Sequence, residues 1–211
     1  MRVGGWNIEG IMKHLPSLGE LVSEIEDNVD IMCLSELKCD VANAITADNY
    51  FNKYAITPST SDMYIANRYE RIVKTTKNMH NGTAIMLKPD LFKFSKTAEV
   101  ETPRIVMQKI KNEKVDLLVG LIFMPTNGDA TAQQKYEDMA STIKMHVTEL
   151  RQSSKVILIG DFNIQENHAP QRRQIFKNMV EELGLKVHTP KTYSNCDHKN
   201  KYNMLTRNIS F

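Results

Sequence analysis

The sequence is poor in the features that hold a small fold together from outside. Its 211 residues include three cysteines, Cys33, Cys39 and Cys196. They cannot all pair within one chain and show no metal-ligand spacing, so they read as reduced thiols in an intracellular protein. Long apolar runs are missing as well. The longest fall far short of the ~20 residues a membrane helix needs, and the opening Met-Arg-Val-Gly-Gly-Trp has no apolar signal region. Charge of one sign is also lacking: 27 Lys and Arg against 25 Asp and Glu leave a net +2. No global field draws the chain to nucleic acid, so such binding must come from a local patch. Without repeats, low-complexity tracts or Gly/Pro/Ser linkers, residues 1–211 read as a single domain. The chain is 41% hydrophobic and 25% charged, the composition of a packed globular protein.

Periodicity supplies the elements. Arg2 to Ile8 reads as a strand. Pro16 opens a helix whose Leu18, Leu21, Val22 and Ile25 share one face. Ile31 to Ser35 is a continuous apolar run, the pattern of a strand buried on both faces. Residues 59–80 are polar and irregular and read as a surface loop. Strands are expected over Gly82–Leu87, after an Asn-Gly turn, then Ile105–Ile110 and Val115–Phe123, joined by a polar turn at Asn112-Glu113. Asp129 or Thr131 is placed to cap a helix carrying Tyr136, Met139, Ala140, Ile143, Val147 and Leu150. An apolar strand Val156–Ile159 ends in Gly160. A further helix begins near Pro170, carries Ile175, Met179, Val180 and Leu183, and stops at Gly184. Most of the 12 methionines fall on these stripes and read as core filler. Hairpin-like strand pairs mixed with helical crossovers predict an α/β fold of sheets packed face to face with helices outside.

Three strands end abruptly in polar residues: Trp6-Asn7-Ile8-Glu9-Gly10, Leu34-Ser35-Glu36-Leu37 and Gly160-Asp161-Phe162-Asn163. Ligands of α/β proteins gather at the carboxyl ends of strands. Two carboxylates and two carboxamides there form a plausible hard-cation site, favouring Mg²⁺ or Mn²⁺ over zinc. Each element has a plainer reading. Asn7 caps a turn, Glu36 is a solvated strand end or pairs with Lys38, and Asp161 with Asn163 makes an Asx-turn. The three together, in this order, point to a site.

The pieces W-N-I-E-G at 6–10, L-S-E-L-K at 34–38, N-G-T-A-I-M-L at 81–87, F-M-P-T-N at 123–127, G-D-F-N at 160–163 and K-T-Y at 191–193 run in the order of a known family. The sequence resembles the endonuclease/exonuclease/phosphatase family, and within it the apurinic/apyrimidinic-type endonuclease domains of non-LTR retrotransposons. The resemblance implies a four-layer α/β sandwich of two packed mixed sheets flanked by helices. It implies Mg²⁺ or Mn²⁺ held by Glu36 with Asn7 beside it. Asp161 would orient or deprotonate the attacking water, and Asn163 would position Asp161 and the scissile phosphate. The implied activity is nicking of DNA, in a nuclear protein that carries a reverse transcriptase region in the same polyprotein. A phosphatase or RNA deadenylase, and a decayed non-catalytic or nucleic-acid-binding remnant, are the alternative readings.

Two departures stand out. Phe123 occupies a place where the family usually has tyrosine, and phenylalanine cannot donate a hydrogen bond; Thr126 or Asn127 is the partial substitute. The family ends with an Asp in a strand and a later Ser-Asp-His element, whereas this sequence runs only to Phe211. The last strands of the domain are therefore expected to be missing, leaving an uncovered sheet edge. Cys196-Asp197-His198 supplies an Asp-His pair, but within a polar stretch (194–203) that reads as a loop. Thr192 and His198 are lesser candidates. Arg68, Arg71, Lys74 and Lys77 in one loop, with Arg172 and Arg173 at a helix start, are the basic residues expected to contact phosphates without reading sequence.

Overall fold

The computed structural model describes residues 1–7, 10, 30–36, 64–65, 83–87, 91, 100–101, 104–126, 131–152, 154–164, 170–188 and 202–207. The helix expected from Pro16, most of the loop over 59–80 and the Cys196-Asp197-His198 segment lie outside these residues.

Two sheets are present. In the first, β1 (Val3–Asn7) pairs in parallel with β2 (Ile31–Ser35), which pairs antiparallel with β4 (Thr83–Leu87); β3 (Tyr64–Ile65) lies on the far side of β4. Part of the segment read as surface loop is thus an edge strand. The second sheet runs β5 (Val100–Glu101), β6 (Ile105–Lys111), β7 (Asp116–Phe123), β8 (Lys155–Asp161), β10 (Tyr202–Arg207), β9 (Lys186–His188). Both sheets are mixed.

Alternation divides the side chains of the central strands between two cores. Val106, Ile110, Leu117, Val119, Leu121, Ile157 and Ile159 face the first sheet, meeting Ile31, Cys33, Ile85 and Leu87. Ile105, Met107, Leu118, Ile122, Val156 and Leu158 face the opposite way. They receive α1 (Ala132–Arg151) through Tyr136, Ala140, Ile143 and Val147, and α2 (Pro170–Leu183) through Phe176, Met179, Val180 and Leu183. Strands covered on both faces need continuous apolar runs, and β2, β7 and β8 have them. Each aliphatic side chain buried this way contributes about 1.5–3 kcal/mol.

The local signals held in detail. Asn112 turns the β6–β7 hairpin, its Oδ1 accepting the N–H groups of Lys114 and Val115 at 2.8 and 2.7 Å. Gly184, at φ 62°, ends α2 while Leu185 N–H donates to Val180 O at 2.9 Å. Thr131 stands at the N-cap of α1 but makes no side-chain cap hydrogen bond. A strand that the sequence reading did not place, β10, pairs with β8 along its length, Tyr202 opposite Asp161 and Arg207 opposite Val156. The polar run before it concealed a strand whose backbone partners are distant in sequence.

Gly160 is the tightest point. At φ 153° it takes a conformation that favours glycine, and a Cβ there would stand 1.8 Å from the carbonyl oxygen of Ile122. Gly160→Ala is expected to cost about 3–5 kcal/mol or to prevent folding. Urea unfolding followed by circular dichroism checks this; an unchanged midpoint would mean the two strands have room to spare.

Candidate active site at the strand tips

β1 and β2 run in parallel, register Asn7 against Ser35, so their C-terminal ends open together. Asn7 Nδ2 donates to Glu36 Oε1 at 2.6 Å. Glu36 follows the last residue of β2 with φ 55°, a left-handed conformation rare for a residue with a long side chain. Its carbonyl accepts the N–H of Gly10 at 2.8 Å, which ties Gly10 to the end of β2.

The second group sits at the tip of β8. Asp161 is buried, and its Oδ1 accepts the N–H of Asn163 at 2.9 Å. This is the Asx-turn of the plainer reading, realised in the structure. Asn163, at φ 49°, turns its side chain back so that Nδ2 donates to Met124 O at 2.7 Å. Met124 N–H in turn donates to Asp161 O at 2.9 Å. The turn after β8 is therefore bound at two points to the segment after β7.

Arg104 lies against the end of β7. Its carbonyl accepts the N–H of Phe123 at 2.8 Å, and its guanidinium lies over the Phe123 ring, 5.0 Å from the centroid. Nη1 donates to Phe123 O at 3.3 Å and, at the long limit, to Met124 O at 3.5 Å. Burial lowers the pKa of Arg104, and the negative charge of Glu36 opposes that shift. Arg104 Nη1 thus shares the Met124 carbonyl with Asn163 Nδ2. Sequence reasoning missed Arg104: a single arginine after Thr102-Pro103 carries no pattern.

Behind the turn lies a buried polar net. Arg172 is 1% exposed and donates to Pro125 O at 2.8 Å, Thr126 O at 3.2 Å and Ala132 O at 3.2 Å. Its guanidinium stacks on Tyr136, 4.9 Å from the ring centroid, and Tyr136 donates its hydroxyl to Phe162 O at 2.8 Å. Burial pushes the Tyr136 hydroxyl well above the ordinary phenol range, with Arg172 opposing and Asp161 reinforcing the shift. The phenol therefore stays protonated and remains a donor.

The expectation that Arg172 contacts nucleic-acid phosphates is corrected. Its donors face protein carbonyls in the interior, where no phosphate reaches. The signal was in the spacing, since Arg172, Phe176, Met179, Val180 and Leu183 fall on one buried face of α2. Arg173 is exposed beside it. Arg68, Arg71, Lys74, Lys77, Asn127, Thr192 and His198 lie outside the described residues.

The carboxylate of Glu36 and the carboxamide oxygen of Asn7 are hard donors without sulfur or ring nitrogen, and they fit Mg²⁺, which keeps several waters and takes one or two carboxylates. Among the described residues no group of three or more His, Cys, Asp or Glu could form an all-protein cage.

Buried Asp161 and half-buried Asn7, Glu36 and Asn163 stand at strand tips of a mixed two-sheet sandwich. The chain belongs to the Endonuclease/Exonuclease/phosphatase family, whose pattern matches residues 4–175. No curated protein sequence matches it. Among solved structures it is similar to a 3′-5′ exonuclease from Neisseria meningitidis (19% identity, 98% of this chain and 86% of that one, TM-score 0.65). It is similar also to a 3′ phosphatase from Neisseria bound to a product DNA hairpin (16%, 99% and 87%, TM-score 0.64). A third is an AP endonuclease from Archaeoglobus fulgidus (14%, 98% and 86%, TM-score 0.63). At these identities the likeness is one of fold.

Arg172→Met removes the donors to three carbonyls and is expected to cost about 3 kcal/mol. Tyr136→Phe, which removes one hydrogen bond, is expected to cost about 1 kcal/mol. Urea midpoints measure both. An Arg172→Met protein of unchanged stability but weakened DNA binding would return Arg172 to the phosphate-contacting set.

Proposed function

We propose that this chain is a divalent-metal-dependent phosphodiester hydrolase that nicks DNA, as the endonuclease domain of a retrotransposon-type protein. The observation that carries the reading is the pairing of polar groups at the strand tips, Asn7 with Glu36 and Asp161 with Asn163, whose side chain shares Met124 O with Arg104. Family membership supports hydrolysis of a phosphoester. The retrotransposon assignment draws on the sequence resemblance at N-G-T-A-I-M-L and K-T-Y, and with it come nuclear location and a reverse transcriptase in the same polyprotein.

The side chains suit in-line attack of water on phosphorus. Mg²⁺ or Mn²⁺ held by Glu36 and Asn7 would neutralise charge on the phosphoryl oxygens. Asp161 is the general base: its Oδ1 is fixed by Asn163 N–H, and its carboxylate takes the water proton. Asn163, pinned through Nδ2 to Met124 O, sets where that carboxylate stands. Arg104, which shares Met124 O with Asn163, supplies positive charge favouring an anionic substrate.

Relaxation of supercoiled plasmid in Mg²⁺ tests the reading. Nicking is expected in the parent, lost on chelation of the metal, and reduced at least ~10²-fold by Asp161→Ala or Glu36→Ala. If both variants nick like the parent, the assignment fails. Hydrolysis of poly(A) or of a phosphoinositide in place of plasmid would move the substrate to the deadenylase or phosphatase class. Salt-sensitive DNA binding with no turnover in any metal would mark a decayed copy.

A further inference from the structure

One peptide group joins Asp161 to the interior. Its N–H, from Asn163, donates to Asp161 Oδ1 at 2.9 Å. Its carbonyl, Phe162 O, accepts the hydroxyl of Tyr136 at 2.8 Å. A trans peptide is a rigid plane whose N–H and C=O point opposite ways. The phenol and the carboxylate therefore grip the two ends of one plate. Tyr136 comes from α1 and is fully buried. Arg172 comes from α2, stacks on the Tyr136 ring at 4.9 Å, and donates to Pro125 O at 2.8 Å and Thr126 O at 3.2 Å. The Phe162 ring is buried too, 5.1 Å from that of Phe176.

The plate has a reason to turn. Asn163 holds φ 49°, a left-handed conformation that is unfavourable for a residue with a side chain. Rotating the Phe162–Asn163 peptide would return residue 163 to negative φ and swing its N–H off Asp161 Oδ1. The Tyr136 hydroxyl opposes that rotation, because the turn would leave a buried donor and its acceptor without each other. Two hydrogen bonds through one amide also polarise each other, so the phenol strengthens the donor that Asp161 receives. We infer that Tyr136, braced by Arg172, is a positioning residue for Asp161, locking the peptide plane whose N–H holds the carboxylate in place. This rests on the proposed hydrolase reading, in which Asp161 is the general base.

The test is Tyr136→Phe, which keeps the ring under Arg172 and removes only the hydroxyl, studied in the full chain at a temperature where it is folded. Two measurements are made. The first is the Asn163 amide proton by nuclear magnetic resonance, without metal or DNA. A hydrogen bond to a carboxylate holds such a proton downfield; it is expected to move upfield in Tyr136→Phe, while the amides of the β6–β7 ladder stay in place. The second is plasmid nicking in Mg²⁺. Tyr136→Phe is expected to lower kcat about 10-fold with KM changed less than about 2-fold, the mark of misplaced groups rather than weakened binding. In an Asp161→Ala background the same substitution is expected to change the residual rate less than about 2-fold, because a residue acting through Asp161 has nothing left to position. A merely structural role lowers the rate equally in both backgrounds and shifts the ladder amides with Asn163. An unmoved Asn163 amide overturns the inference, as does an equal loss in the two backgrounds or an effect confined to KM. If Asp161→Ala abolishes nicking but Tyr136→Phe changes neither rate nor amide, the hydrolase reading stands and the inference alone fails. If Asp161→Ala nicks like the parent, or the parent does not nick, the reading falls and takes the inference with it.

Discussion

The backbone of Met124 is the point on which the site depends. It is the first residue beyond β7. Its N–H is bound by Asp161 O, and its carbonyl receives the Asn163 carboxamide and, more weakly, Arg104. The parallel register of β7 and β8 brings it there, with Phe123 opposite Asp161. Two parallel strands end at the same level, so the segments leaving them compete for one space. Gly160 allows the backbones to close to the distance at which Met124 can bridge them. The acidic group at the end of β8 is thereby fixed by main-chain atoms, the least mobile donors and acceptors in the protein.

Strain and buried charge are concentrated around that point. Glu36 and Asn163 both hold positive φ, at 55° and 49°. Conformations of this kind cost about 1–3 kcal/mol and persist only where the surroundings over-determine them. Gly10 N–H and Asn7 Nδ2 secure Glu36; Asp161 Oδ1 and Met124 O secure Asn163. On the far side, Arg172 and Tyr136 bind the carbonyls of Pro125, Thr126, Ala132 and Phe162 into one net. Buried polar groups are costly unless every partner is supplied. Here the partners are main-chain carbonyls. One guanidinium thus orders the interior while another, Arg104, rests on the Phe123 ring at the end of β7.

How far the sequence carried can be read from particular residues. The run Ile31–Ser35 is buried on both faces, Asn112 turns its hairpin, Gly184 stops its helix, and Asn7, Glu36, Asp161 and Asn163 end their strands in contact with the partners described. These are local signals: periodicity, turn chemistry, and the placing of polar residues directly after apolar runs. β10 was not legible, because a polar strand at a sheet position is defined by its partner, and β8 lies about 40 residues away along the chain. Arg172 was assigned to the surface because charge outweighed helical spacing in the reading, although its place in the i, i+4, i+7 stripe marked it as inward.

The sequence by itself determined the order of elements, the double burial of the central strands and the chemical character of three strand tips, since those follow from side-chain type at short separation. Tertiary structure alone decided that Arg172 turns into the core, that β10 pairs with β8, and that Arg104 rests on Phe123 and reaches Met124 O. Such facts depend on which groups meet after the chain has folded. A guanidinium is the same side chain in the core, on the surface or at a site; the carbonyls, rings and carboxylates brought against it decide what it does.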